Sequence, residues 1–305
     1  MSPFSDSLAH PLIVVLGPTA SGKTRLAVEL AQTLSGEILS ADSRQVYRGL
    51  DLGAGKDLAE YGAIPYHLID ICNLGDEYNA FRFQRDFWQA YDQVVARGAM
   101  PILCGGTGFY LEAVLSGYQF VEVPPNPELR ARLASLSLDE MTAELLALKP
   151  ELHNTTDLLV RARVERALEI AHGEQQAEAS RVDYPKPQAL VFGIDWPREQ
   201  LRARIRARLR QRLDEGLIEE VAGLRRQGVS DALLDGLGLE YRFVGQYVRG
   251  ELNRNDMFQQ LASAICQFAK RQDTWFRRMA RHGIAIHWLN PAQPLLPQAM
   301  AVLER

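Results

Sequence analysis

Eight consecutive residues near the start of the chain could bind a polyphosphate. They read Gly17-Pro18-Thr19-Ala20-Ser21-Gly22-Lys23-Thr24, which fits the phosphate-loop pattern G-x-x-x-x-G-K-[ST] at every fixed position. In such a loop the backbone N–H groups and the positive end of a helix dipole face an anion. Lys23 would add a positive charge on the phosphates, and the Thr24 hydroxyl would be a Mg²⁺ ligand. The pattern leaves open which phosphate compound binds and which bond is broken.

Two further groups could do chemistry beside that loop. Asp42 follows a short apolar run, and it could be a general base, a magnesium ligand through water, or the N-cap of the next helix. The turn Gly105-Gly106-Thr107-Gly108 follows another apolar run, and Thr107 with its flexible glycines could approach a diphosphate or could only close a tight turn. Both groups would lie at the carboxyl ends of parallel strands, where ligands bind in open α/β sheets.

The flanking segments predict the elements that would hold these groups. Short apolar runs predict β-strands over 12–16, 36–41, 66–71, 101–104, 190–194 and 285–289. Apolar residues at helical spacing predict helices over 25–30, 79–97, 109–115, 201–213 and 256–281. The alternation of strands and helices predicts an α/β fold with a parallel sheet.

A proline-rich stretch at each end marks an inserted segment. Pro124-Pro125-Asn126-Pro127 begins it and Pro185-Lys186-Pro187 ends it. Between them, apolar spacing predicts helices over 128–136, 138–148 and 157–172. We therefore predict a core made of residues 1–123 and 188–305, interrupted by a helical insert domain over 124–187.

Basic side chains gather in the last two long helices predicted. The first carries Arg202, Arg204, Arg206, Arg208, Arg210 and Arg212 around an apolar stripe. The second is expected to pack through Met257, Leu261, Ile265 and Phe268, and near its end it carries Lys270, Arg271, Arg277, Arg278 and Arg281 with Trp275 and Phe276. Either set could be an ordinary charged surface or could hold a nucleic-acid backbone and stack bases.

Composition restricts the class of protein. The 305 residues, 47% of them hydrophobic, suffice for a large α/β core and a smaller domain. The net charge of -4 means that any nucleic acid would be held by local basic surfaces. We expect a cytoplasmic protein with no membrane partner, since no apolar run is long enough to span a membrane and residues 1–11 do not resemble a secretory signal. The three widely spaced cysteines fit reduced, buried thiols.

Five motifs together resemble the tRNA dimethylallyltransferase family. They are G-P-T-A-S-G-K-T at 17–24, D-S-R-Q-V-Y-R-G-L-D at 42–51, G-G-T-G-F-Y-L at 105–111, R-V-E-R-A-L-E at 163–169 and A-K-R-Q-D-T-W-F-R at 269–277. Their order and spacing match over about residues 12–290. The resemblance implies a P-loop NTPase-like parallel sheet flanked by helices, with an inserted all-helical tRNA-binding subdomain. It also implies transfer of a dimethylallyl group from dimethylallyl diphosphate to N6 of adenosine 37 in tRNA.

The resemblance implies roles for individual residues as well. Asp42 would be the general base for N6, Thr107 would hydrogen-bond the oxygen that bridges carbon and phosphorus, and Lys23 would neutralise charge. The residues implied in diphosphate binding are Gly17, Thr19, Ala20, Ser21, Gly22, Lys23, Thr24 and Arg271. Thr24 would hold Mg²⁺, the one implied cofactor. The residues implied in tRNA binding are Asp42, Ser43, Arg44, Gln45, Thr107, Arg130, Arg163, Arg166, Gly238, Tyr241 and Arg242.

The chain departs from the family pattern in two places. Where the family commonly has G-T-A-K-P, this chain has Gly53-Ala54-Gly55-Lys56-Asp57. Gly238-Leu239-Glu240-Tyr241-Arg242 separates a Gly-Tyr pair that usually stands together. Neither departure includes a residue implied in making or breaking bonds.

Two rival functions share part of this pattern. A small-molecule or nucleotide kinase would share the phosphate loop and could also place a carboxylate after its second strand. A prenyltransferase that acts on free adenine nucleotide would need no RNA-binding insert. The basic C-terminal helix and the helical insert favour a tRNA-modifying enzyme, which we expect to act as a monomer on the anticodon stem-loop.

Overall fold

A six-stranded parallel β-sheet forms the centre of the larger unit of the chain. The computed structural model describes residues 11–150, 158–177 and 183–304. All neighbouring strands of the sheet run parallel, so the predicted α/β class with a parallel sheet is confirmed. The strands, in the spatial order β3-β2-β4-β1-β5-β6, are β1 (Leu12–Leu16), β2 (Gly36–Ala41), β3 (Tyr66–His67), β4 (Met100–Gly105), β5 (Ala189–Ile194) and β6 (Ile286–Leu289).

The strands are short and apolar because both faces of the sheet are covered. Every residue of β1 and of β2 is buried, as is typical of parallel strands between layers of helices. The strand predicted over 66–71 is reduced to two residues in β3. Leu68 and Asp70 take left-handed backbone conformations, with φ of 65° and 56°, which cannot continue a strand.

Helices connect the strands and extend the chain beyond the sheet. None of those that the structure describes combines the length and apolar character needed to cross a membrane. The helices are α1 (Lys23–Leu34), α2 (Ala80–Ala96), α3 (Gly108–Ser116), α4 (Pro127–Leu133), α5 (Leu138–Leu148), α6 (Arg161–Ala177), α7 (Arg198–Asp214), α8 (Leu217–Arg226), α9 (Asp231–Leu237), α10 (Leu239–Val248), α11 (Arg254–Arg281) and α12 (Leu295–Leu303), with a 3₁₀ helix at Leu58–Tyr61.

The sequence did not predict α8, α9, α10 or α12. The first three are only seven to ten residues long and are separated by glycines, so their apolar period is too short to stand out. Helix α12 was not predicted because its sequence contains proline. Pro297 is nevertheless compatible with the helix, because it lies in the first turn, where an N–H has no partner within the helix.

Helices α7 to α11 share an apolar cluster with residues 46–50. Met257, Leu261 and Ile265 of α11 are buried in it, as expected. Phe268 was expected to pack as well, but it is 40% exposed, and the guanidinium of Arg271 lies 5.8 Å from the centre of its ring. The end of α11 therefore presents an aromatic and a basic side chain outside the core.

Residues Gln119–Tyr184 form the second compact unit. Helices α4, α5 and α6 enclose an apolar cluster of their own that includes Leu133, Met141 and Leu168. Ser137 and Glu140 form a reciprocal capping box that starts α5 at the predicted residue. Helix α4 ends at Leu133, three residues earlier than predicted. Residue 157, where the third helix of the insert was predicted to begin, lies outside the described residues, as do residues 178–182.

A buried carboxylate joins β2, β3 and the end of α2. Glu37 is 7% exposed, and its two oxygens accept hydrogen bonds from Arg97 at 2.9 and 2.7 Å. His67 Nε2 lies 2.6 Å from one of these oxygens. The Arg97 hydrogen bonds, followed by that of His67, hold the pKa of Glu37 below its usual value.

We expect Glu37→Gln to lower the free energy of unfolding at pH 7 by about 1 to 2 kcal/mol, because the half-exposed Arg97 loses a charged acceptor. Since the folded state depresses this pKa, the contribution is complete above the unfolded pKa and is lost as the pH falls through the folded one. Urea unfolding of both proteins from about pH 7 to about pH 3 measures it. The difference in unfolding free energy between the wild type and Glu37→Gln should shrink towards acid pH. The control Glu304→Gln, at an exposed position, should show no difference from the wild type. A Glu37→Gln difference that stays constant with pH would contradict the assignment.

Candidate functional site

The phosphate loop joins β1 to α1 at the carboxyl end of the strand. Two of its residues curl the backbone: Ala20 with φ of 62° and Gly22 with φ of 88° are both left-handed. Gly17 serves packing instead, because a Cβ there would lie 2.6 Å from the Ser21 hydroxyl oxygen. Of the two fixed glycines of the phosphate-loop pattern, only Gly22 bends the loop by its backbone conformation.

Two side chains of the segment that follows β5 hydrogen-bond to carbonyl groups of the phosphate loop. Arg204 Nε donates to the Ala20 carbonyl at 2.9 Å, and Trp196 Nε1 donates to the Ser21 carbonyl at 2.8 Å. Because the C=O and N–H of a trans peptide point in opposite directions, the Gly22 N–H faces away from Trp196. Helix α1 begins with no side-chain cap and no acidic residue in its first turn. The first turn of α1 therefore leaves its N–H groups and the helix dipole to an anion, whereas the Thr19 and Ser21 N–H groups of the loop already bind Gln272 and the Pro18 carbonyl.

Positive charge crowds beside the loop. Burial lowers the pKa of the Lys23 ammonium; Arg208 and Arg212 lower it further, against the opposing effects of Cys104 and Asp42. Burial also lowers the pKa of Arg208, to about 10. Crowded, partly desolvated cations of this kind are stabilised by a bound polyanion.

Arg208 and Arg212 were not among the predicted site residues. They follow Arg204 along α7 at intervals of four, so one face of the helix presents all three near the phosphate loop. Asp57 accepts a hydrogen bond from Arg208 and lies 3.5 Å from Arg212 Nη2. The spacing of four was visible in the sequence, but the alternating arginines on the other flank concealed it.

Asp42 and Thr107 are linked through the backbone of residue 43. The Thr107 hydroxyl oxygen accepts from the Ser43 N–H at 3.1 Å, and Asp42 Oδ1 accepts from the Arg44 N–H at 2.9 Å. A hydroxyl that accepts one N–H still has its own proton to donate. The arrangement thus offers an oriented carboxylate and a hydroxyl donor at adjoining strand ends.

The glycines around Thr107 make room for other parts of the protein. A Cβ on Gly105 would overlap the Ala41 carbonyl, one on Gly106 would lie 2.5 Å from Gln272 Nε2, and one on Gly108 would lie 2.6 Å from Trp275 Cγ. The sequence suggested that these glycines allow approach to a diphosphate. In the structure they allow β2 and α11 to approach the turn.

Several predicted RNA contacts occupy interior positions. Gln45 is 9% exposed, and its amide accepts from Ser40 Oγ and donates to the Gly55 carbonyl. Tyr241 is 1% exposed, and its hydroxyl donates to Glu220 at 2.8 Å. Arg242, in contrast, is exposed. The side chains of Gln45 and Tyr241 are thus buried, and the part these residues play in tRNA binding stays a prediction.

The two departures from the family pattern meet in space. A Cβ on Gly53 would overlap the ring of Tyr241, and a Cβ on Gly55 would overlap the guanidinium of Arg212. Glu220 ties the same regions together, because it accepts from the Leu52 and Gly53 N–H groups as well as from Tyr241. Gly53 and Gly55 thus leave room for the side chains of Tyr241 and Arg212, which lie on later helices.

Arg271, the one residue of α11 predicted to bind diphosphate, has an exposed side chain. It is exposed on α11 beside Phe268, whereas the arginines whose charge acts on Lys23 are Arg208 and Arg212. The contribution of Arg271 to diphosphate binding stays a prediction.

Two predicted RNA-binding arginines bind one buried carboxylate in the helical unit. Glu169 has a fully buried side chain and accepts two hydrogen bonds from Arg130, at 2.7 and 3.0 Å, and one from Arg166 at 3.0 Å. Arg166 also donates to the Val123 carbonyl. Arg163 is exposed on the same helix. Arg130 therefore joins α4 to α6, and Arg166 joins α6 to the segment before α4.

The chain is similar to enzymes that modify tRNA. The IPP transferase family pattern matches residues 45–279, and the isopentenyl transferase pattern matches residues 10–61. A tRNA dimethylallyltransferase 1 of Geotalea uraniireducens is 57% identical, with 96% of each chain covered. A tRNA dimethylallyltransferase 2 of Syntrophotalea carbinolica is 59% identical, over 92% of this chain and 94% of the relative.

Solved structures show the same fold. The tRNA isopentenylpyrophosphate transferase of Bacillus halodurans superposes with a TM-score of 0.70 at 29% identity, covering 97% of this chain and 95% of that one. A eukaryotic dimethylallyltransferase acting on tRNA superposes with a TM-score of 0.76 at 23% identity, covering 92% and 74%. The second likeness concerns the fold alone.

We expect Gly108→Ala to destabilise the protein by about 1 to 3 kcal/mol, since the new methyl group displaces the Trp275 ring. Gly236→Ala is the matched control: that helical glycine has open space around its Cβ position, and alanine should stabilise it by about 0.5 to 1 kcal/mol. Thermal unfolding of the two variants tests this. Equal effects of both substitutions would show that the contact with Trp275 does not require glycine.

Proposed function

Because this chain belongs to the IPP transferase family, we propose that it transfers a dimethylallyl group from dimethylallyl diphosphate to N6 of adenosine 37 in tRNA, releasing diphosphate. The observation that carries the proposal is the link between the Asp42 turn and Thr107 at the sheet edge that also bears the phosphate loop. The kinase and free-nucleotide alternatives are not carried forward, since relatives that match over nine-tenths of the chain are named for tRNA.

Asp42 acts as the general base in this proposal. The lone pair of an adenine amine is delocalised into the ring, so N6 becomes an effective nucleophile only as it loses a proton. As N6 attacks the allylic carbon, its proton passes to Asp42, and the bond from that carbon to the bridging oxygen breaks. General-base catalysis of this kind contributes roughly 10²–10⁴-fold. The Arg44 N–H, by holding Oδ1, orients the carboxylate.

The departing diphosphate takes the electron pair of the broken bond. The Thr107 hydroxyl donates to the bridging oxygen, where negative charge develops first. The N–H groups at the start of α1 and the Lys23 ammonium hold the phosphate oxygens. Arg208 and Arg212 add positive charge at the same place, which makes them further candidates for stabilising the leaving group.

We propose Mg²⁺ as the cofactor, with Thr24 as its protein ligand. Within residues 11–150, 158–177 and 183–304, no three histidine, cysteine, aspartate or glutamate side chains gather as a metal cage. Mg²⁺ suits such a site, because it is commonly held by phosphate oxygens and water with few protein ligands. The buried Ser21 hydroxyl, for which the described residues provide no partner, also fits a polar ligand in the loop. When bound, the ion would neutralise diphosphate charge.

The proposed acceptor is the anticodon stem-loop. Adenosine 37 must leave the stack to reach Asp42, and single-stranded loops permit this at low cost. Exposed Arg163 and Arg242 are proposed to contact the RNA backbone. A cytoplasmic location follows from this acceptor, and action as a monomer stays a prediction.

We expect Asp42→Ala to reduce prenyl transfer by roughly 10²–10⁴-fold because the base is lost, while tRNA affinity stays within a few-fold. Mass spectrometry of unmodified tRNA incubated with dimethylallyl diphosphate and Mg²⁺ measures the transfer, and filter binding measures affinity. Asp214→Ala, an exposed carboxylate at the end of α7, is the control and should retain activity. Unchanged turnover by Asp42→Ala would remove Asp42 from the role of base.

We expect Arg163→Ala to weaken tRNA binding and to reduce the slope of log affinity against log salt by about 1, as for the loss of one phosphate contact. Arg166→Ala should in addition lower the melting temperature, because buried Glu169 loses a donor. Arg226→Ala on α8 serves as an exposed control. If Arg163→Ala leaves both affinity and slope unchanged, this arginine is not part of the RNA surface.

A further inference from the structure

We infer that Gln272 is a positioning residue that fixes the phosphate loop and the Thr107 turn in the relative geometry that transfer requires. The inference rests on the proposed function for its consequence. Its structural basis is a single side-chain amide that bridges the two turns.

Gln272 lies on α11 and is 7% exposed. Its Oε1 accepts from the Thr19 N–H of the phosphate loop at 2.9 Å, and its Nε2 donates to the Gly106 carbonyl at 2.8 Å. Thr19 follows β1 and Gly106 follows β4. One side chain therefore satisfies two backbone groups that belong to neighbouring strand ends.

The site demands an amide. One bridging atom must accept a hydrogen bond and the other must donate one, and among side chains of this length only glutamine does both at every pH. The fit is close, because a Cβ on Gly106 would lie 2.5 Å from Gln272 Nε2 and 3.6 Å from Lys23 Nζ. Gly106 thus gives the amide its place beside the lysine.

The bridge completes a chain of contacts across the site. Gln272 connects the phosphate loop to Gly106, the next residue is Thr107, and the Thr107 hydroxyl binds the Ser43 N–H beside Asp42. Through this chain the group that holds the diphosphate is fixed relative to the base. A displacement of about 1 Å between such groups costs about 10²-fold in rate.

The substitution Gln272→Glu tests this through pH. An ionised glutamate can only accept, so it repels the Gly106 carbonyl, whereas a protonated one restores both hydrogen bonds in nearly the same shape. We expect kcat, divided by that of the wild type at the same pH, to be reduced about 10²-fold near pH 8.5 and to recover towards about pH 6. Division by the wild type removes the pH effects that the two proteins share.

Two further variants separate positioning from charge and from folding. Gln272→Leu loses both hydrogen bonds without adding charge, so its kcat should be reduced by a similar factor at every pH. Gln267→Glu places the same new charge on an exposed position of α11 and should follow the wild type. If Gln272→Leu fails to fold, as circular dichroism would show, the pH profile of Gln272→Glu still decides.

The proposal is overturned if Gln272→Glu follows the wild type at every pH, or if a folded Gln272→Leu keeps wild-type kcat. Binding of inorganic pyrophosphate, followed by calorimetry, provides a readout that needs no prenyl transfer. Gln272→Glu should bind it more weakly than the wild type, and the deficit should shrink as the pH falls. If pyrophosphate binding by the two proteins follows this pattern but the wild type transfers no prenyl group, the proposed function is refuted. The bridge by Gln272 would then still stand.

Discussion

The crowding of positive charge beside the phosphate loop is the constraint on which the rest of the site depends. Lys23, Arg208 and Arg212 are brought close enough for each arginine to depress the pKa of the lysine, while burial removes the water that would otherwise screen them. Asp57 partly neutralises the two arginines. A bound polyanion would relieve this repulsion, so the charge of the site favours a polyphosphate ligand there.

A second constraint is that the loop cannot hold its own shape. Its carbonyl groups at Ala20 and Ser21 are held by side chains of the segment that follows β5, and its N–H at Thr19 is held by α11. Buried backbone polar groups need partners, and although the Ser21 N–H binds the Pro18 carbonyl within the loop, the Thr19 N–H and the Ala20 and Ser21 C=O groups are satisfied from outside it. The C-terminal half of the larger unit therefore shapes a site whose signature residues lie near the start of the chain.

The departures from the family pattern are explained by the same packing. Gly53, which the chain shares with the family, leaves room for Tyr241. Of the changed positions, Gly55 leaves room for Arg212, and Asp57 supplies a carboxylate for Arg208 and Arg212. These positions are far apart in the sequence, so each change looked isolated before the structure related them.

The sequence by itself determined the phosphate loop, the parallel sheet and the positions of Asp42 and Thr107, because these depend on local patterns of a few residues. It could not separate Arg208 and Arg212 from their neighbours on α7, nor place Gln45 and Tyr241 in the interior, nor reveal the bridge by Gln272. Those features depend on contacts between residues up to 253 positions apart. Only the tertiary structure decides them, since burial and hydrogen-bond partners are set by which segments pack together.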